Sequence, residues 1–181
     1  TLIGGVTAFG LSVWLLASLP MRMMPIADRH QFAVEIYLPQ GSSLQQTAQV
    51  CDSVKNLLMK DNRVKSVTAF TGTSSPRFQT TYAPNFPAKN YAQLIVNTQS
   101  VAATNELLDR FTNAYADHFP NAYVKFKQLD YQVVNTPIEV RFSGDNIAEL
   151  KQVADSLVRS IKQIPDLVWV HTNYEEQSPF I

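Results

Sequence analysis

Residues 1–20, TLIGGVTAFGLSVWLLASLP, carry no charged side chain, and the first charge in the chain is Arg22. A secretory signal would open on a cationic stretch, and none precedes the apolar run here. A helix buried in a soluble core would show a polar stripe; Thr7, Ser12 and Ser18 are the only hydroxyls after Thr1, and no Lys, Glu or Gln reinforces them. At about 1.5 Å per residue the run to Leu19 reaches roughly 28 Å, close to the roughly 30 Å of a bilayer hydrocarbon core. The expectation is a transmembrane helix over residues 1–20, in part or whole. Gly4, Ala8 and Gly10 are small residues of the kind that let a membrane helix approach a neighbour.

The rest of the chain is ordinary in bulk. Its 181 residues, 45% of them hydrophobic, suffice for one core or two small ones. Lys plus Arg equals Asp plus Glu, 15 against 15, which removes the cationic footprint of a nucleic-acid binder. One cysteine, Cys51, leaves no internal disulfide framework and no Cys-based zinc cluster.

After Pro20, MRMMPIADRH reads as a collar at a membrane surface, residues 21–30, with Arg22, Asp28 and Arg29 reaching water. QFAVEIYLP alternates Phe32, Val34, Ile36 and Leu38 against Ala33, Glu35 and Tyr37, the pattern of a half-buried strand. From Ser42 as N-cap, Leu44, Ala48, Cys51, Val54 and Leu58 recur at helical spacing. RVKSVTAF predicts a second strand and YAQLIVNT a third. Residues 101–119 predict a helix with Leu107, Leu108, Phe111, Ala114 and Tyr115 inward, and AYVKFKQLD a fourth strand. Between the second and third strands, TSSPRFQTTYAPNFPAK is longer than a hairpin needs and carries Phe78, Tyr82 and Phe86. The order βαββαβ predicts an α+β, ferredoxin-like split βαβ sandwich.

Beyond Pro137 the pattern restarts. A strand IEVRFSG, a helix with Ile147, Leu150, Ala154, Leu157, Ile161 and Ile164 on one stripe, and a strand LVWVHTNY predict a second βαβ half-subdomain, whose apolar stripe needs a further layer to cover it. GSSLQQTAQVCDSV from Gly41 and GDNIAELKQVADSL from Gly144 share Gly, Gln, Val, Asp and Ser in register, the mark of a strand, turn and helix module used twice.

No Ser/His/Asp or paired-carboxylate arrangement assembles at a workable spacing, so no enzyme activity and no cofactor is expected. His30, His118 and His171 have no helical or hairpin pairing with one another. Met21, Met23 and Met24 fall in the collar and Met59 at a helix end, so no soft-metal site is expected either.

An apolar helix followed by Asp28-Arg29, then FAVEIYLPQGSSLQQT, VKSVTAFTGTSSPRF, YAQLIVNTQS and IEVRFSGDN in this order, resembles the second half of resistance-nodulation-division (RND) efflux permeases of the hydrophobe/amphiphile exporter type. The resemblance covers essentially the whole chain. It implies that residues 1–20 are the seventh transmembrane helix, residues 31–133 the first porter subdomain of the second periplasmic loop, and residues 134–181 the first half of the next. It implies further a proton-driven exporter of amphiphilic compounds and drugs in the bacterial inner membrane, working as a homotrimer with a periplasmic adaptor protein and an outer-membrane channel. Glu35 and Tyr37 match cleft-facing positions of the first porter strand, Ile138, Val140 and Phe142 those of the strand opening the second subdomain, and Phe78 lies where the family has its switch loop. The chain departs from members that carry an aromatic-glycine-aromatic run after Gly72, so no contact of that run transfers to Thr73 or Ser75. A rival reading is a membrane-tethered ligand-binding or sensing module of the same fold. A small split-βαβ phosphatase of the acylphosphatase kind is disfavoured, because LPQGSS offers no Arg to hold a phosphate.

Overall fold

A computed structural model describes residues 2–19, 28–77, 82–115, 118–119, 122–129, 138–164, 167, 169–170 and 172. Helix α1 runs Leu2–Ser18. There follow β1 Gln31–Tyr37, α2 Leu44–Leu58, β2 Val64–Thr71, β3 Tyr91–Thr98, α3 Val101–Tyr115, β4 Tyr123–Gln128 and α4 Ile147–Ile161.

The 17 residues of α1 span roughly 26 Å, and no helix among the described residues is long and apolar enough to cross a membrane. Helix α1 occupies the stretch read as all or part of a transmembrane helix and is shorter than a full span. Pro20 is the reason at its lower end, since it disfavours a helical conformation for the residue before it, and the ladder closes with Leu19 N donating to Leu16 O. Described side chains all round α1 are exposed. Its hydroxyls turn back on their own helix: Thr7 donates to Ile3 O, Ser12 to Ala8 O and Ser18 to Leu15 O. The collar lies outside the described residues up to Asp28.

The four strands form one antiparallel sheet in the order β2-β3-β1-β4, the expected split βαβ arrangement. Pairing places Val34 opposite Leu94 and Phe126, and Ile36 opposite Ala92 and Val124. These residues, with Phe32 and Val96, meet Cys51, Val54 and Leu58 of α2 and Leu107 and Phe111 of α3 in the core. Cys51 is packing, as expected, and burial pushes its thiol pKa up. Inside α3, Thr104 and Ala103 are buried, Leu108 and Tyr115 pack against the core as the pattern suggests, and Ala114 is exposed instead.

The cap of α2 is Ser43, not Ser42. Ser43 accepts from Gln46 N while the Gln46 side chain accepts from Ser43 N, a reciprocal box formed here and not by Ser42 with Gln45. Ser42 instead closes the preceding turn by donating to Pro39 O at 2.8 Å. Asn146, at the matching place of the duplicated module, caps α4 by accepting from Ala148 N and Glu149 N. The repeat is thus a repeated capping device.

Among the described residues of the second unit, only the helix is regular. Residues 138–144 are irregular and exposed, and the described residues among 167–172 contain no strand. A strand exists by pairing its backbone groups, and no ladder among the described residues includes these segments. Trp169, moreover, has φ +62°, which breaks an extended run. It docks on the edge of β4: its Nε1 donates to Val124 O at 3.1 Å, and Tyr123 Oη donates to its carbonyl at 2.7 Å. No residue of α4 is buried.

Candidate functional site

The sheet has a second face, and it is covered too. Alternation along β1 leaves Ala33, Glu35 and Tyr37 pointing away from the helices, and a half-buried strand would leave them in water. Ala33 and Glu35 are instead 1% and 8% exposed. Their cover is the segment between β2 and β3, which Gly72 turns back across the sheet. Gly72 has φ +77°, where an L side chain is strained, and a Cβ there would stand 2.7 Å from Leu44 Cδ1, so the end of Leu44 would have to shift. The segment is closed by Gly72 N donating to Tyr91 O and Ala88 N to Gly72 O.

Beneath it lies a polar cluster two rungs deep. On one rung Glu35 pairs with Gln93 of β3 and Lys125 of β4; on the next, Tyr37 pairs with Tyr91 and Tyr123. The three tyrosines form a row, with ring centroids 5.0 Å and 6.2 Å apart. Tyr37 Oη donates to Glu35 Oε2 at 3.1 Å and accepts from Asn85 Nδ2 at 3.4 Å. Gln93 is fully buried, and its Oε1 accepts from both Ser75 N and Tyr82 Oη at 2.8 Å. Two donors on that oxygen fix the amide's orientation and leave Nε2 as the outward donor. Nε2 has no partner among the described residues, nor does Tyr91 Oη, on a residue 2% exposed.

The electrostatics follow from this enclosure. Burial, aided by the Glu35 charge, raises the hydroxyl pKa of Tyr37 and of Tyr91, so both remain neutral donors at physiological pH. Burial lowers that of Lys125, against the pull of Glu35. The cluster therefore offers aromatic faces, one carboxylate, one amine and two unpaired neutral donors. Such a surface has the chemistry to hold and orient a ligand, and the described cluster pairs no nucleophile with a base.

The six residues singled out in the sequence fare differently. Glu35 and Tyr37 lie together at the centre of this face. Ile138, Val140 and Phe142 are 68%, 54% and 41% exposed on irregular chain, not on the strand expected for them, because no second strand pairs with that segment. Phe78 lies outside the described residues; of its neighbours, Tyr82 holds Gln93 and Phe86 is 94% exposed. Sequence reasoning missed Gln93, Tyr91, Tyr123 and Lys125. The signal was present in β3, where a lone Gln sits in the otherwise apolar run YAQLIV at the same parity as Tyr91.

The AcrB/AcrD/AcrF family matches residues 1–181, the whole chain. The chain belongs to that family. The RND permease resemblance, with a porter-region α+β fold, is thereby borne out. Among solved structures, the fold is similar to that of a heavy metal efflux pump in one crystal form, with a TM-score of 0.61 and 21% identity over 90% of this chain and 18% of that one. A second crystal form gives 0.52 and 18% identity over 89% and 18%. The chain thus spans under a fifth of the length of the pump structures it matches.

Proposed function

We propose that this chain is a periplasmic porter part of a proton-driven RND efflux transporter in the bacterial inner membrane, and that the outer face of its sheet is a wall of the cleft that admits amphiphilic compounds. The observation that carries this is the row Tyr91, Tyr37 and Tyr123 beside a buried Glu35: aromatic area with few torsions to freeze, next to polar anchors, suits poorly specified organic ligands. Helix α1, charge-free and turning its hydroxyls inward, is the outward end of a membrane helix in this reading. The uncovered stripe of α4 is completed by a further layer, within a homotrimer served by an adaptor protein and an outer-membrane channel. This part performs no catalysis. Proton carriage belongs to other helices, since α1 holds no ionisable side chain.

The solved structures of similar fold are of a heavy metal efflux pump, which raises soft cations as cargo. The described outer face presents phenol, carboxylate, carboxamide and ammonium groups; thiolate or thioether ligands are what a soft cation selects. Organic cargo fits these groups better. In the full-length permease, Tyr37→Ala is expected to reduce export of large amphiphiles severalfold while the trimer still assembles. Unchanged resistance across a broad compound panel, with normal expression, would count against the proposal. Phe142→Ala and Phe78→Ala probe the remaining two walls in the same assay.

A further inference from the structure

Burying a hydrogen-bond donor without an acceptor is costly, and a folded chain rarely retains two such groups on adjacent positions of one face. Gln93 Nε2 and Tyr91 Oη are both of this kind. Neither can be excused by rearrangement. The Gln93 amide cannot flip, because its oxygen is held by Ser75 N and Tyr82 Oη. The Tyr91 hydroxyl has no hydrogen-bond partner among the described residues, and the Asn85 amide nitrogen donates instead to Tyr37 Oη. Glu35 Oε2 takes the Tyr37 proton and not that of Tyr91.

We infer that these two residues form a subsite for a ligand oxygen that accepts hydrogen bonds, such as an amide, ester or sulfonyl oxygen within an amphiphile. This rests on the cleft reading above and narrows its substrate class. Tyr91 and Gln93 are i and i+2 on β3, hence on one face with their backbones about 7 Å apart, so acceptor oxygens of one ligand meet them from the same side. The tyrosine row takes the apolar body beside it.

The test uses the full-length permease in cells and two probes: hexadecyltrimethylammonium and lauramidopropyltrimethylammonium, equal in charge and chain length, the second with one amide in place of two methylenes. Tyr91→Phe removes only the unpartnered hydroxyl, so its thermal stability is expected to equal or exceed that of the wild type. Protection against the amide probe is expected to fall about fivefold more than protection against the plain probe, the net worth of one neutral hydrogen bond. Gln93→Leu is expected to give the same selective loss, with some loosening of the covering segment. Equal loss for both probes, or no loss for either, would overturn the subsite while leaving the porter reading intact. A wild-type permease that protects against neither probe would overturn both.

Discussion

The two faces of the sheet are made from alternate residues of the same four strands, and they follow opposite rules. On the helix side, Phe32, Val34, Ile36, Leu94, Val96, Val124 and Phe126 leave no polar group to satisfy. On the other side, Glu35, Gln93, Tyr37, Tyr91 and Lys125 are largely withdrawn from water, yet two donors are left unanswered. Stability and recognition are thus separated by the two-residue period of a strand rather than assigned to different segments. The inner face holds the fold; the outer face can carry strain.

The sharpest break in that contrast is made from the inner side. Phe126→Ala removes a ring that stacks on Phe111 at 5.8 Å and is expected to cost about 3–5 kcal/mol in urea unfolding, whereas Lys125→Ala, its outward neighbour, should cost under about 1. Comparable losses would mean that the outer cluster also supports the fold. Next in size, Gly72→Ala forces a left-handed alanine against Leu44 and should cost about 1–2 kcal/mol, with the covering segment becoming more susceptible to protease.

Smaller is the effect of the ion cluster at the α2–β2 turn, which lies on neither face. Asp61 accepts from Arg63 and Arg110, and those bonds, led by the Arg63 side chain, hold its carboxyl at about 2. A depressed folded-state value means stability present above the unfolded value near 4 and lost as pH falls towards 2. Asp61→Asn should flatten the acid limb between those limits and cost no more than about 1 kcal/mol at neutral pH.

Smallest of all, Leu157→Ser on α4 should change stability by less than about 0.5 kcal/mol in this chain, because no residue of α4 is buried. The matching change in α2, Val54→Ser, should cost several times more, since Val54 is fully buried. A large loss at Leu157 would show that the second unit already has its cover.

Legibility in the sequence divides along the same lines. The βαββαβ order and the inner core could be read because alternation and helical spacing report which residues leave water. Glu35 and Tyr37 were found by parity and by family resemblance. Gln93 and Tyr91 were not, because their importance depends on a long segment folding back over them, and no local pattern encodes where a loop lands. The segment at 138–144 misled for the opposite reason: Ile138, Val140 and Phe142 alternate as a strand should, but alternation supplies a face and not a pairing partner. Ser42 and Ser43 were indistinguishable until Gln46 showed which one completes a box.

The central claim is that ligand meets the outer face of this sheet. A photoreactive amphiphile, activated on the full-length permease during export and mapped to single residues, tests it directly. The expected labels fall on Tyr37, Tyr91 and Tyr123. Labelling confined to α2 and α3, with the three tyrosines untouched while export proceeds, would contradict it.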